Sequence, residues 1–215
     1  MPQPYLFQVF SKPTIDEKIW EQWYTEEHIR DMVYFKAASN GAVYRIIAGP
    51  ETSGSVEDSS EPLTAGEGGK NYFACYQTEK PHLLKSLEYT TRVRSESELW
   101  KQAGLKDDAT FYDAGVFQGS DLELIGTVGA TDNEGYRKTS FYRVNDGEAY
   151  DASAGSGHVM ILNEFEKLTP DDLETFVEHL DNSAADKQVH FQARAMKVIE
   201  GEGFGGKVRE PLRIS

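Results

Sequence analysis

Between Trp20 and Ile29 the chain places two tryptophans, a tyrosine, three glutamates and a histidine within ten residues. A histidine flanked by a carboxylate suits proton transfer, since imidazole titrates near neutrality and a neighbouring acid orients or tunes it. Aromatic side chains at helical spacing offer flat walls for an aromatic ligand. At 100° per residue and with Trp20 at zero, Trp23 falls at about −60°, Tyr24 at +40°, Glu27 at −20° and His28 at +80°. All five therefore share one broad stripe, with Glu27 at its centre. A carboxylate there costs several kcal/mol to bury unless it is paired. Two readings follow. In one, the aromatics pack on a sheet while Glu27 and His28 emerge near the helix C-terminus, where His28 meets free carbonyls. In the other, the aromatics wall a pocket in which His28 moves a proton and Glu27 orients it.

The surrounding pattern supplies the elements that position this stripe. Tyr5–Phe10 reads as a buried strand ended by Ser11-Lys12-Pro13, and Thr14-x-x-Glu17 reads as a capping box opening a helix over 15–33. Strands follow at Ala42–Ala48 and Asn71–Gln77, separated by a polar, Gly- and Ser-rich segment, Pro50–Lys70, which reads as a mobile loop. Pro81 opens a second helix carrying Leu83, Leu84, Leu87 and Val93 inward, and Thr110–Phe117 is a fourth strand. The order is β-α-β-β-α-β, the ferredoxin-like split βαβ arrangement. A weaker echo follows: strands at Leu122–Val128, Arg137–Val144, His158–Phe165 and Ala195–Ile199, with a helix after Pro170 carrying Leu173, Phe176, Val177 and Leu180. The expected fold is thus α+β, with tandem ferredoxin-like units and antiparallel sheets, one unit over 1–120 and a degenerate second one with a C-terminal arm over 121–215.

The chain has 215 residues, 39% of them apolar, enough for one sizeable core or two small ones. Its formal charge of −14 and pI of about 4.8 argue against a nucleic-acid partner. A single cysteine, Cys75, excludes an internal disulfide and a cysteine-rich zinc module. The N-terminus has no signal-peptide pattern and no run is long enough to span a membrane, so the expected location is cytoplasmic.

The segment Trp20-Glu21-Gln22-Trp23-Tyr24-Thr25-Glu26-Glu27-His28-Ile29 closely resembles the WY-x-x-EH-I signature of EthD-like proteins in the dimeric α/β-barrel superfamily. Asn71-Tyr72-Phe73-Ala74-Cys75-Tyr76-Gln77-Thr78-Glu79 looks like the strand that follows in small members, and the resemblance covers roughly residues 5–118. It implies a sheet that pairs with another to enclose a ligand cavity. It further implies activity without metal or flavin, in the manner of polyketide cyclases, quinone-forming monooxygenases, lactone isomerases and decarboxylases. Because the chain is longer than one such unit, the barrel forms either between two copies in a homodimer or between the two halves of one chain.

The resulting expectation is a cofactor-independent enzyme of secondary metabolism acting by proton transfer on a small aromatic or polyketide-like ligand. The reaction is decarboxylation, cyclisation, dehydration or isomerisation. The alternatives are an anthrone-type oxygenase and a non-catalytic small-molecule binding or stress-response protein. His28 and Glu27 are the catalytic candidates. Trp20, Trp23, Tyr24, Tyr72, Tyr76 and His158 are the substrate-binding candidates. Tyr72, Ala74 and Tyr76 share one strand face, and Phe73 and Cys75 the other. His82, His179 and His190 read as surface or structural histidines, and Cys75 as a buried small hydrophobe. Neither Gly66-Gly68-Gly69 nor Gly201-Gly203-Gly205-Gly206 lies between a strand and a helix start, which excludes a phosphate-binding loop. No metal-helix spacing occurs.

Overall fold

The computed structural model describes residues 3–48, 72–129, 136–144, 159–165, 195–202 and 208–210. The Pro50–Lys70 segment, His158, the helix expected after Pro170, and His179 and His190 lie outside the described residues.

β1 spans Tyr5–Pro13 and is followed by a continuous helical run in three parts. These are α1 (Glu17–Gln22), a π-helical segment (Trp23–His28) and α2 (Ile29–Tyr34). The cap at the start is Asp16, whose Oδ1 accepts from the Lys18 and Ile19 backbone N–H groups at 2.9 and 3.3 Å. The capping box expected at Thr14 is not formed, because the Thr14 hydroxyl donates instead to the Asp113 carbonyl at 3.1 Å. β2 (Asn40–Ala48) and β3 (Tyr72–Thr78) come next, then a 3₁₀ turn at Leu83–Lys85 and three short helices. The helices are α3 (Leu87–Arg92), α4 (Glu98–Gln102) and α5 (Phe111–Ala114). The later described elements are β4 (Gly115–Gly129), β5 (Tyr136–Val144), β6 (Val159–Phe165) and β7 (Ala195–Glu202).

The seven strands among the described residues form one antiparallel sheet in the order β6-β5-β4-β1-β3-β2-β7. The fold is α+β. β3 lies between β1 and β2, and β1 lies between β3 and β4, so the two helix-bearing connections of the first half interlock around a central β1–β3 pair. Two strand expectations need correction. Phe111–Ala114 is a helical turn with a Thr110–Asp113 capping box, and the strand begins at Gly115. It then continues without a break through Leu122, so the strands expected at Thr110–Phe117 and Leu122–Val128 merge into β4. The junction expected between residues 120 and 121 falls in the middle of that strand.

The second helix also differs. His82 adopts a left-handed backbone (φ 58°), which interrupts helical winding after Pro81. Only Leu83 of its expected inward residues is buried; Leu84 and Leu87 are exposed. His82 itself pairs with Asp121, its Nδ1 standing 3.4 Å from Oδ2.

Register assigns the two sheet faces. Phe7, Val9 and Ser11 of β1 stand opposite Tyr76, Ala74 and Tyr72 of β3 and face the helices. Leu6, Phe10, Phe73 and Cys75 face the other way and pack with Leu122 and Tyr142 in a separate apolar cluster. The strand-face assignment of Tyr72, Ala74 and Tyr76 against Phe73 and Cys75 therefore holds. Trp20, Trp23 and Tyr24 are buried between the helical run and the sheet, each contributing roughly 2–3 kcal/mol of apolar burial.

Candidate functional site: a histidine in an aromatic cavity

The π-helical segment sets the geometry. The Ile29 N–H donates to the Tyr24 carbonyl, a five-residue spacing where an α-helix would use four. Each residue of a π turn advances by less than 100°, so positions after Trp23 lag behind the register expected for an α-helix. The lag carries His28 toward the centre of the aromatic stripe and Glu27 toward its edge. His28 faces the sheet side, while Glu27 turns toward the loop before α4.

His28 is buried, at 8% exposure, among rings. Its imidazole stacks on Trp23 at 4.5 Å between centroids and 21° between planes. The edges or faces of Tyr24, Phe111 and Tyr76 complete its surroundings at 5.5, 5.8 and 6.1 Å. Among the described residues its Nδ1 has no hydrogen-bond partner. Burial alone lowers its pKa from 6.5 to about 3, so the ring is neutral at physiological pH.

Beside His28 lies a cavity of about 70 Å³ on the helix-facing side of the sheet. Phe7, Tyr76 and Gly119 form its strand wall and Tyr24, His28 and Met32 its helix wall. Leu84, Tyr89, Phe111 and Tyr112 close the remaining side, and two of these, Leu84 and Tyr112, are exposed at 38% and 64%. A side chain at Gly119 would not fit, since a Cβ there would stand 2.7 Å from the Phe7 ring. Tyr24's hydroxyl faces those of Ser11 and Tyr76, and burial pushes its pKa well above the usual phenol range. Tyr76 is raised for the same reason, and Tyr89 is pushed up to about 12. Among the described residues the hydroxyls of Ser11 and Tyr76 and the indole Nε1 of Trp20 are buried without a partner at good hydrogen-bond geometry, although the Tyr24 hydroxyl interacts with both Ser11 and Tyr76.

The residues singled out from sequence thus separate. His28, Tyr24 and Tyr76 line one cavity, and Trp23 backs His28. Trp20 packs on Trp23, Tyr24 and Phe117 without lining the space. Glu27 and Tyr72 stand elsewhere. The Glu27 carboxyl is raised by burial, opposed by the Ser97 hydroxyl and the Arg94 charge, and raised further by nearby Asp31. Arg94 makes three bonds to the buried Asp31, from Nε at 3.0 Å, from an amino group at 3.3 Å and from its backbone N–H at 3.5 Å. Tyr72 donates to Glu21 Oε1 at 2.9 Å, beside an Arg45–Glu21 ion pair.

Sequence reading placed Phe111 and Tyr112 on a strand, whereas they close the cavity from α5. It gave Tyr89, Met32 and Phe7 no role, although all three line the space. Tyr89 sits two residues beyond Leu87 in a segment whose apolar spacing carried no aromatic signal. Among the described residues no group of three or more His, Cys, Asp or Glu is arranged to hold a metal, and no helix is long and apolar enough to cross a membrane.

No protein-family model matches this chain, and no curated protein or solved structure is significantly similar to it.

Proposed function

We propose that this protein is a cofactor-independent enzyme that binds a small aromatic or polyketide-derived ligand beside His28 and acts on it by proton transfer. The observation that carries this reading is an uncharged, buried imidazole whose Nδ1 has no protein partner, set in the wall of an aromatic cavity. A neutral imidazole accepts a proton from the ligand and returns it at another atom, the cycle common to cyclisation, dehydration and isomerisation; because burial makes this imidazole a weak base, the bound ligand must supply charge that stabilises the imidazolium. Trp23 fixes the ring plane by stacking, which holds the acceptor nitrogen in one direction. Glu27, turned toward Arg94 and Ser97, acts on His28 only through the backbone it shares with it.

The proposal extends to kinship and location. The Trp20–Ile29 motif and the interlocked first half support an EthD-like ferredoxin-like unit, with the later strands derived from a second unit. The barrel then closes within one chain or between two, in a cytoplasmic protein. Sedimentation at low concentration separates the last two cases: a compact monomer supports closure within the chain, and an obligate dimer supports closure between copies.

The decisive experiment compares wild type and His28→Gln for turnover of a panel of aromatic ketones, phenols and aromatic acids, with far-UV circular dichroism as a control for folding. The expected loss is about 10²–10⁴-fold. Undiminished turnover in the variant ends the proposed role of His28. A second reading is a binding protein without turnover, favoured by the small cavity and by the absence, among the described residues, of a hydrogen-bond partner for His28 Nδ1. It is supported if wild type binds panel members without converting them and His28→Gln retains that affinity.

A further inference from the structure

A dry cavity of about 150 Å³ admits benzene, whereas the space beside His28 measures about 70 Å³. For a ring to enter, one wall must move. The strand wall comes from β1, β3 and β4, each hydrogen-bonded to a strand on both sides. The helix wall belongs to the run that buries Trp20 and Trp23. α5, which brings Phe111 and Tyr112, is pinned at both ends. The Phe111 N–H donates to the Ser95 carbonyl, and the Ala114 carbonyl accepts from the Thr14 N–H, both at 2.9 Å. The remaining wall is the stretch of residues 84–93, which brings Leu84 and Tyr89.

This stretch is tied at its two ends and loose between them. Just before it, the fully buried Leu83 donates its N–H to Asp121 Oδ1 at 3.3 Å. His82 Nδ1 stands 3.4 Å from Oδ2 of the same carboxylate. Just after it, Arg94 is fixed on Asp31. Among the described residues, the hydrogen bonds of residues 84–93 all stay within 80–93. One of them is the Lys80–Glu88 ion pair at 3.0 Å, which lies at the surface and contributes little. α3 has no buried residue, and a helix of six residues has little stability of its own. Tyr89 points one side of α3 at the cavity. Leu87, Glu88, Thr91 and Arg92, around the opposite side, border an open groove of about 400 Å³ whose far wall is Phe35 and Lys36. α3 therefore stands between a small cavity and a larger empty space.

We propose that residues 84–93 form a lid over the cavity, with the Asp121 carboxylate as its latch and Arg94 as its far hinge. The lid opens when α3 moves into the groove, which withdraws Leu84 and Tyr89 and admits a ring to His28. The identity of the guest rests on the reading of the cavity as an aromatic-ligand site; the hinged stretch does not. Asp121 is a gating residue. It lies on β4 two positions beyond the cavity-lining Gly119, on the same strand face, and holds the chain at the point where the lid begins.

Backbone hydrogen exchange, followed by NMR on the full chain, tests the lid without any ligand. In wild type the Thr90 and Val93 amides, hydrogen-bonded inside the lid, should exchange about ten-fold faster than the Phe111 amide of α5. Asp121→Ala should speed Thr90 and Val93 by a further factor of about 10 and leave Phe111 and the β3 amides unchanged. Equal protection of α3 and α5 in wild type overturns the lid. An Asp121→Ala effect that misses α3, or that spreads evenly over the sheet, overturns it too. Toluene then tests the gate. In Asp121→Ala it should enter and leave about ten-fold faster at nearly unchanged affinity, because a latch on the opening step alters both rates alike. Unchanged toluene rates beside a loosened α3 overturn the gating role. Failure of toluene to bind either protein removes the aromatic-ligand reading, and the exchange data alone then decide the lid. The wild-type comparison of α3 with α5 decides it even where the variant fails to fold.

Discussion

Tyr72 and Tyr76 stand four residues apart on the same face of the same strand, and their hydroxyls have opposite fates. Tyr72 reaches Glu21, which also takes Arg45, and the nearby Asp31 is held by three bonds from Arg94. Among the described residues the Tyr76 hydroxyl makes no hydrogen bond of good geometry, and neither do the Ser11 hydroxyl, Trp20 Nε1 or His28 Nδ1, although the Tyr24 hydroxyl interacts with both Ser11 and Tyr76. The helical run that supplies Glu21 and Asp31 to satisfied networks also supplies Trp20 and His28 to the unsatisfied group. Among the described residues this fold pairs some of its buried polar groups and leaves others unpaired, at His28 and Tyr76 in the cavity wall and also at Arg30 Nε and Asn40 Oδ1 away from it.

The contrast can be broken most forcefully on its satisfied side. Arg94→Ala leaves the Asp31 carboxylate buried without its cation and removes the favourable charge near Glu27. The expected loss is about 3–5 kcal/mol, read as a lower urea midpoint at pH 7. An unchanged midpoint would mean that the pair contributes nothing to the fold.

Acid titration probes the other side. In the unfolded chain His28 takes up a proton near pH 6.5, whereas the fold keeps it neutral down to about pH 3. The unfolded state binds more protons in that window, so stability should fall as pH drops below 6.5, by up to about 1.4 kcal/mol per pH unit. Glu27 works in the opposite sense. Its raised pKa makes the folded state the better proton binder, so its contribution is present in acid and lost as pH rises through that pKa. His28→Leu should remove the first component and flatten the acid limb of stability against pH. A limb of unaltered slope in the variant would show that other groups dominate acid unfolding.

The smallest effects carry the sharpest comparison. Tyr72→Phe removes a made hydrogen bond and should cost about 1 kcal/mol. Tyr76→Phe removes an unmade one and should stabilise the free protein by about the same amount. Thermal melts of the two variants should therefore shift in opposite directions. Shifts of the same sign would remove the distinction between the two tyrosines.

Much of this was legible beforehand. The order of strands and helices through the first half followed from apolar periodicity, because alternation and 3.6-residue spacing reflect burial directly. The face assignment on β3 followed from the two-residue repeat of a strand. The aromatic stripe of Trp20, Trp23 and Tyr24 was equally visible. Glu27 was misplaced because the stripe assumed 100° per residue, and a π turn in the middle of the helix breaks that assumption. Tyr72 was misplaced because its partner Glu21 lies 51 residues away, a separation no local pattern reports. α5 was read as strand because Phe111 and Tyr112 have strand-like side chains. Their conformation is set by the Thr110–Asp113 capping box and by the Phe111 N–H bond to the Ser95 carbonyl.

By itself, the sequence determined which residues had to be buried, which strand faces they occupy, and that an aromatic helix carrying His28 would lie against a sheet. These are consequences of hydrophobic periodicity, which acts over neighbouring residues. Tertiary structure alone decided that His28 and not Glu27 meets the cavity, that Tyr24 and Tyr76 join it, and that their region is left short of hydrogen-bond partners. Those outcomes depend on one extra residue in a helical turn and on contacts between distant segments. Hydrogen bonding and burial of charge are settled by where chains meet in space, and local spacing carries no record of that meeting.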